Sequence, residues 1–252
     1  MLAGGRNRNR GQRDYSLWGA VSLSAALLMG APRCLRAQGL GGSLDATTDY
    51  LVRGISRTDD HSALQLDVHY LDPSGFVADF FASNTQFDSS APRDAELSTF
   101  LGYVWPEGRD WQGKVLVGNY SYPWNQAGSF YNYDEIAFEA RYRDWLRVDI
   151  AFSPDTRRYY YDRGTVRVQA EWAELSLQHP LIGKLSGTAG VGYYEMDGAN
   201  ATGYAYWSVG AGYDIASITL ALSFIGASRD ANLLFYNAAV GGRWSATAIW
   251  RF

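Results

Sequence analysis

Through most of the chain, apolar and polar residues alternate at every second position, in short segments separated by polar turns. A β-strand points successive side chains to opposite faces, so this period predicts strands with one apolar and one polar face. We predict twelve strands, the eighth with an open end before Pro180. Their predicted bounds are 44–53, 63–71, 76–83, 95–105, 111–121, 133–142, 145–153, from about 165, 185–195, 203–214, 218–227 and 240–252.

The connections between these strands alternate in length along the whole chain. Short turns begin near residues 72, 106, 143, 180 and 214, and longer loops near 54, 84, 122, 154, 196 and 228. Outer-membrane barrels have an even number of antiparallel strands, with short periplasmic turns and longer outer loops, whereas a soluble sandwich has no reason for this rhythm. We therefore expect an all-β fold, an antiparallel transmembrane β-barrel of about 12 strands, with ten or fourteen as alternatives.

The last predicted strand ends on an aromatic residue, Phe252. Trp244, Trp250 and Phe252 share its apolar face, while Arg243 and Arg251 lie on the other. A bare strand edge invites pairing with other chains, and barrel closure removes that edge. The segment resembles the C-terminal assembly signal of outer-membrane proteins, which we assign to Trp250 and Phe252. That resemblance implies periplasmic chaperones and the barrel-assembly machinery as partners; an ordinary last strand of a soluble β-domain is the alternative.

The N-terminal residues 1–37 have the pattern of a secretory signal peptide. Several arginines precede the apolar run 17–31, and small Ala37 offers a cleavage site. The run is shorter than the ~20 residues of a spanning helix, which disfavours a membrane anchor. The only cysteine, Cys34, lies in this segment, so the mature chain would hold no disulfide. The predicted barrel domain is 38–252.

The composition restricts the partners. The chain has 22 Lys and Arg against 26 Asp and Glu, a formal net charge of −4, and the predicted signal would remove six of the arginines. An acidic surface argues against nucleic-acid binding, which lysine and arginine drive. Eighteen tyrosines and nine tryptophans favour a membrane interface. Outer-membrane lipid is the expected partner, and the bacterial cell outer membrane the expected location.

Several short motifs resemble the TorF family of bacterial outer-membrane porins. The longest is Asp49-Tyr-Leu-Val-Arg-Gly-Ile-Ser-Arg-Thr58, and shorter ones are Pro73 to Phe76, Ala82 to Asn84 and Asn132 to Asp134. The likeness extends from about Gly41 to Phe252. It implies an outer-membrane barrel with a channel role, and it brings neither catalytic residues nor a defined substrate.

If the apolar faces meet lipid, the charged faces line the lumen and set its field and width. We then expect passive diffusion of small hydrophilic solutes or ions, with a slight cation preference at most and no cofactor. The predicted pore-lining residues are Asp49, Arg53, Asp67, Asp79, Glu96, Lys114, Glu139, Arg147, Arg167 and Arg243.

Two other functions remain open from the sequence. An outer-membrane enzyme acting on lipid or peptide could use His69, which shares a strand face with Asp67, but no nucleophile motif such as Gly-x-Ser-x-Gly accompanies it. Three scattered histidines offer no metal-ligand spacing. A closed structural or adhesion barrel, with ion-pair ladders inside and loops such as 122–132 outside, is the other alternative. We expect a non-enzymatic protein.

Overall fold

The computed structural model describes residues 39–86, 93–105, 110–124, 131–160, 164–196, 202–235 and 241–252. The predicted signal peptide, residues 125–130 of loop 122–132 and parts of several other connections lie outside these ranges. No helix of the described residues has the length and apolar character needed to cross a bilayer.

The described residues form fourteen β-strands and a short 3-10 helix, Arg229–Leu233. The strands are β1 Gly39–Thr47, β2 Leu51–Val52, β3 Ile55–Ser56, β4 Ala63–Leu71, β5 Phe76–Thr85, β6 Asp94–Val104, β7 Trp111–Ser121, β8 Tyr133–Tyr142, β9 Leu146–Tyr160, β10 Gly164–Ile182, β11 Leu185–Met196, β12 Thr202–Ile215, β13 Ile218–Ala227 and β14 Arg243–Arg251.

Twelve of these strands close into one antiparallel barrel, as predicted. The two-residue strands β2 and β3 pair with each other and stay outside the ring. In the ring, β1 pairs with β4, each strand from β4 to β14 pairs with the next, and β1 closes the ring against β14. In that seam Ala46 lies opposite Ala248, and the backbones of Gly42 and Phe252 exchange two hydrogen bonds of 3.2 and 3.1 Å. The C-terminal strand therefore completes the barrel instead of forming an edge.

The outward face carries the apolar side chains that the alternation predicts. Leu101, Val117 and Ile136 are about half exposed, each between inward-facing neighbours that are buried or half-buried. Near the short turns, the Tyr142 ring lies 5.0 Å from the Trp111 ring and 5.7 Å from the Trp145 ring. An apolar belt bordered by aromatic residues is the surface that a bilayer requires of a barrel.

At the end with the short turns, the first strand begins at Gly39 instead of Leu44, and the eighth ends at Ile182 instead of before Pro180. Three further predicted bounds are corrected at the end with the longer loops. The first strand ends at Thr47 instead of Arg53, because residues 48–62 turn into the barrel. Residues 154–160 continue β9, because they pair with the start of β10. The last strand begins at Arg243, three residues later than predicted.

The predicted faces of β10 are wrong. The alternation from Val166 to Trp172 predicts Trp172 on the lipid face and Arg167 and Glu171 in the lumen. In the structure Trp172 is 4% exposed inside the barrel, and the other two are exposed. The reason is local: the interior near the longer loops is filled by protein, so its wall there is apolar. On the outer face of this part of β10, polar side chains are solvated. The inner face is therefore apolar and the outer face polar, the reverse of the arrangement elsewhere in the barrel.

Candidate functional site

The most distinctive feature of the interior is a hairpin within residues 48–62, which link β1 to β4. Its strands β2 and β3 are joined by Arg53 and Gly54, both with positive φ angles of 52° and 79°. A two-residue turn of this kind favours Asn or Gly, and a left-handed arginine costs roughly 1–2 kcal/mol. Arg53 is therefore unfavourable for the turn itself, and an interaction of its side chain explains its presence there.

The hairpin packs against β13, which lies two strands from β1 in the ring. Gly54 packs so closely on β13 that an added Cβ would lie 2.8 Å from the Gly226 carbonyl oxygen and from the Ala227 Cβ. Leu51 packs in a cluster with Ala221 and Ile225 of the same strand. Both the conformation and the space at position 54 therefore require glycine. We call residues 48–62 the inward hairpin.

Arg53 forms a buried ion pair with Glu135 of β8. Its Nη2 donates to Glu135 Oε2 at 3.2 Å, and the two side chains are 7% and 1% exposed. The guanidinium carbon lies 4.4 Å from the centre of the Trp172 ring and 5.1 Å from that of the Tyr194 ring. Such cation–π contacts are strongest where water is excluded, as here.

The carboxylate of Glu135 accepts hydrogen bonds from residues of the barrel wall as well as from the hairpin. Trp172 Nε1–H donates to Oε2 at 2.9 Å, and the Tyr120 hydroxyl donates to Oε1 at 3.2 Å. A buried charge is tolerated only when it is paired and hydrogen-bonded, and this one has both. Glu135 is thus the principal anchor of the hairpin tip.

Glu96 of β6 anchors the flank of the hairpin. The hydroxyl of Tyr50 donates to Oε1 and that of Tyr122 to Oε2, both at 2.8 Å, and Glu96 is 1% exposed. Tyr122 follows β7 and Tyr50 belongs to the hairpin, so this carboxylate joins two loop segments to the wall. Glu96 is one of the predicted pore-lining residues, and that solutes pass it stays a prediction.

Asp49 organises the base of the hairpin. Its Oδ1 accepts hydrogen bonds from the hydroxyls of Ser56 at 2.6 Å and Thr58 at 3.0 Å. Its Oδ2 lies 3.5 Å from Arg243 Nη1, and Arg243 also pairs with Asp60. The predicted residues Asp49 and Arg243 therefore meet here, where β14 borders the hairpin.

Aromatic side chains complete this half of the interior. The rings of Tyr120 and Tyr133 stack at 4.4 Å. After β13, the 3-10 helix buries Ala231, and Phe235 packs on Tyr194 and Tyr204 at 6.1 and 5.9 Å. The hairpin and this second inward segment together fill the loop side of the barrel.

The half nearer the short turns is polar and differently organised. Glu139 of β8 binds Lys114 of β7 at 3.1 Å and Arg141 of its own strand at 2.6 Å. Arg147 lies 2.8 Å from Asp149 on β9. These pairs join residues of the same or neighbouring strands, as an ion-pair ladder does, and the predicted residues Lys114, Glu139 and Arg147 belong to it.

Two of the three predicted aspartates, Asp67 and Asp79, lie in the same half on β4 and β5. Asp67 Oδ1 is 3.1 Å from His69 Nδ1, and His69 faces Asp79 across the β4–β5 pair. Asp67 Oδ2 and Asp79 Oδ1 are buried without a protein hydrogen-bond partner. Among the described residues, no group of three or more His, Cys, Asp or Glu is arranged to hold a metal ion.

Nine of the ten predicted pore-lining residues thus lie inside the barrel, in three separate groups, and Arg167 does not. Arg167 is about half exposed on the outer rim and pairs with Asp155. It stays a prediction that permeating solutes pass these nine residues. Trp250 and Phe252 are outward and about half exposed, and their role in assembly also stays a prediction.

The sequence analysis missed the inward hairpin and the aromatic partners of Arg53, namely Trp172 and Tyr194. One signal was present: the pair Arg53-Gly54, followed by the polar run Ser56 to Asp60, has the form of a tight hairpin turn inside an apparent strand. The distance along the chain from Arg53 to its partners left no local pattern that could identify them.

The closed ring, its apolar belt and its charged interior together define a porin-like transmembrane barrel, the architecture of bacterial outer-membrane barrels. Residues 38–251 match the model of a family described as "Bacterial protein of unknown function (Gcw_chp)", and the chain belongs to that family. No curated protein matches the chain.

Solved porins have the same fold. The NanC porin superposes with a TM-score of 0.55 at 9% identity, covering 83% of this chain and 97% of that one. The KdgM porin gives a TM-score of 0.53 at 10% identity, covering 84% and 99%. KdgM in complex with disordered oligogalacturonate gives 0.50 at 11% identity, covering 85% and 99%. At these identities, the likeness concerns the fold alone.

Proposed function

We propose that the chain is an outer-membrane porin that allows passive diffusion of small hydrophilic solutes or ions, with the inward hairpin as its constriction. The observation that carries this proposal is the inward location of its charged side chains in a closed barrel with an apolar outer belt. Rings of charged side chains select permeants by field and width. One structurally similar porin is described with an oligogalacturonate, which supports a hydrophilic solute class.

We further propose that the Gcw_chp family includes the TorF porins. The motif that carried the resemblance, Asp49 to Thr58, is the part of the sequence that forms the inward hairpin. A motif with a structural role of this kind supports a family relationship more strongly than an isolated turn would. A non-enzymatic role belongs to the same proposal, since Asp67 and His69 are buried and the His69 Nε2 packs against Gly41.

Single-channel recording in a planar bilayer tests the porin proposal. Purified, refolded protein with a verified barrel should give discrete conductance steps. Deletion of residues 50–57 should increase the step size severalfold, because the hairpin fills the loop side of the lumen. Absence of steps in both proteins would overturn the proposal.

The close packing of side chains inside the barrel favours a second candidate function, that of a closed structural or adhesion barrel. Its charges would then serve only as internal ion pairs, as between Glu139, Lys114 and Arg141. The same recording separates the two functions: a closed barrel gives no steps in the unsubstituted protein and gains them after hairpin deletion.

We also propose export through a signal peptide ending at Ala37, and insertion with the aid of periplasmic chaperones and the barrel-assembly machinery. Phe252 supports this because its backbone closes the β1–β14 seam. Deletion of Phe252 should lower the amount of folded barrel in outer-membrane fractions. Replacement of exposed Trp124, in the loop after β7, by alanine is the control and should leave that amount unchanged. Equal insertion of the truncated and intact proteins would contradict the assembly-signal hypothesis.

A further inference from the structure

The site occupied by Arg53 has the composition of a cation-binding cage. One wall is the face of the Trp172 ring, a second is the Tyr194 ring, and the Glu135 carboxylate supplies the negative charge. Proteins use aromatic faces with a carboxylate to bind guanidinium and quaternary ammonium groups. The site therefore matches a class of small solute as well as the side chain that fills it.

The cage is built by the barrel wall, without the hairpin. Glu135, Trp172 and Tyr194 belong to β8, β10 and β11. The indole N–H of Trp172 fixes its position relative to Glu135, and Tyr194 packs at 5.6 Å on Tyr204 of β12. Because rigid strands hold all three groups, the cage keeps its geometry when its occupant leaves.

Arg53 has the character of a tethered occupant. It lies at a turn position that favours glycine or asparagine, so its presence there is explained by the cage and not by the turn. A free cation in the lumen would meet the same two rings and the same carboxylate. An anion would meet a carboxylate and the negative faces of two rings, which oppose its binding.

We propose that the cage of Glu135, Trp172 and Tyr194 is a binding site for small guanidinium and quaternary ammonium solutes, which compete with Arg53 for it. The site does not depend on the porin function. Only its consequence for transport, namely that such a solute frees the hairpin tip and enters the lumen, rests on the proposed function.

Isothermal titration calorimetry of the refolded protein in detergent micelles tests the site. The probe is methylguanidinium, and its neutral analogue methylurea is the control. In Arg53→Gly, which vacates the cage and suits the turn, methylguanidinium should bind saturably with one site per chain. In the unsubstituted protein the apparent affinity should be about tenfold weaker, because a tethered competitor acts at a millimolar effective concentration.

Two matched double variants locate the binding. Arg53→Gly with Glu135→Gln should lose affinity by about tenfold or more, because the cage loses its charge. Arg53→Gly with Tyr194→Phe should retain it, because the ring face that the cation contacts remains. Far-ultraviolet circular dichroism confirms the barrel in each variant. The proposal is overturned if folded Arg53→Gly shows no saturable binding, if methylurea binds equally, or if Glu135→Gln has no effect.

Bilayer recording keeps this proposal separate from the porin function. Methylguanidinium should increase the conductance of the unsubstituted protein more than potassium does at equal ionic strength, and Arg53→Gly should reduce that difference. Binding in micelles with no conductance steps would overturn the porin function and leave the site standing. Conductance steps with no binding would overturn the site and leave the porin function standing.

Discussion

The two halves of the barrel interior hold their carboxylates in different ways. On the loop side, Glu96 and Glu135 bind the inward hairpin, through Tyr50 and Arg53, which are 46 and 82 residues away in sequence. On the turn side, Glu139 and Asp149 bind cations of their own or an adjacent strand. The first arrangement fixes a separate segment inside the barrel, whereas the second stabilises the wall and leaves its shape unchanged.

This difference has a consequence for function. A carboxylate that holds a segment controls how much of the lumen is filled, so its removal should change the size of the passage. A carboxylate in a wall ladder controls the local field, so its removal should change which ions pass. Conductance and selectivity are therefore expected to depend on different halves of the molecule.

The largest expected effect comes from Glu135→Gln. Loss of the charge leaves Arg53 buried without its counter-ion, and removal of one partner of a buried pair costs about 3–5 kcal/mol. We expect that cost as a lower free energy of unfolding in urea titrations of protein in vesicles, together with a larger single-channel conductance as the hairpin tip is released.

Glu139→Gln is the matched control for this prediction, since both glutamates lie inward on β8 and both are buried. It should leave conductance close to that of the unsubstituted protein. An equal conductance increase in the two variants would show that the halves do not differ as proposed.

Much of the fold was predictable from the sequence because barrel strands obey a local rule. Alternation at Phe76 to Ser83, for example, places Asp79 inward and Phe80 outward, and both assignments agree with the burial found. The rhythm of short and long connections likewise predicted twelve strands, and the prediction is confirmed. Lipid outside and polar groups inside impose this pattern on each strand independently.

The loop side of the site was not predictable in this way, because there the environment depends on a distant segment. Trp172 lies inward, where Arg53 of the hairpin packs on its ring, and Arg167 lies on the solvated outer rim, where it pairs with Asp155. Leu51 and Val52 continue the alternation of β1, so the sequence indicates a longer strand. Their burial on the hairpin follows from tertiary contacts that no local pattern contains.

A smaller effect is expected from Glu139→Gln itself, on selectivity. The substitution leaves Lys114 and Arg141 without their shared carboxylate, so the turn side of the lumen becomes more positive. The reversal potential in a salt gradient should move toward that of an anion-preferring channel, by an amount that decreases at high salt because of screening.

Asp79→Asn provides a comparison on β5, in the same half. Asp79 has one oxygen without a protein partner, and its replacement should shift the reversal potential in the same direction. Unchanged reversal potentials in both variants would mean that ions do not pass this part of the wall.

The smallest expected effect lies outside the barrel, at the turn between β4 and β5. There the side-chain and backbone hydrogen bonds that Ser74 donates, at 2.6 and 2.9 Å, hold the pKa of the exposed Asp72 carboxyl below its usual range. Since the folded pKa is lower than the unfolded value of about 3.9, the ionised carboxylate stabilises the fold at higher pH. That contribution is lost as the pH falls through the folded pKa.

Ser74→Ala removes the shorter of these bonds and so tests whether a solvated carboxylate behaves differently from the buried ones. We expect a slight loss of stability at pH 7, and the unfolding midpoints of the two proteins should converge as the pH falls below the folded pKa. The other carboxylates titrate equally in both proteins, so their contributions cancel in the difference between the two unfolding midpoints. A difference that stays constant with pH would mean that the Ser74 hydroxyl stabilises the turn without regard to charge. Hydrogen bonding to an exposed carboxylate would then be unlike that at Glu135, where we attribute the stabilisation to the charge.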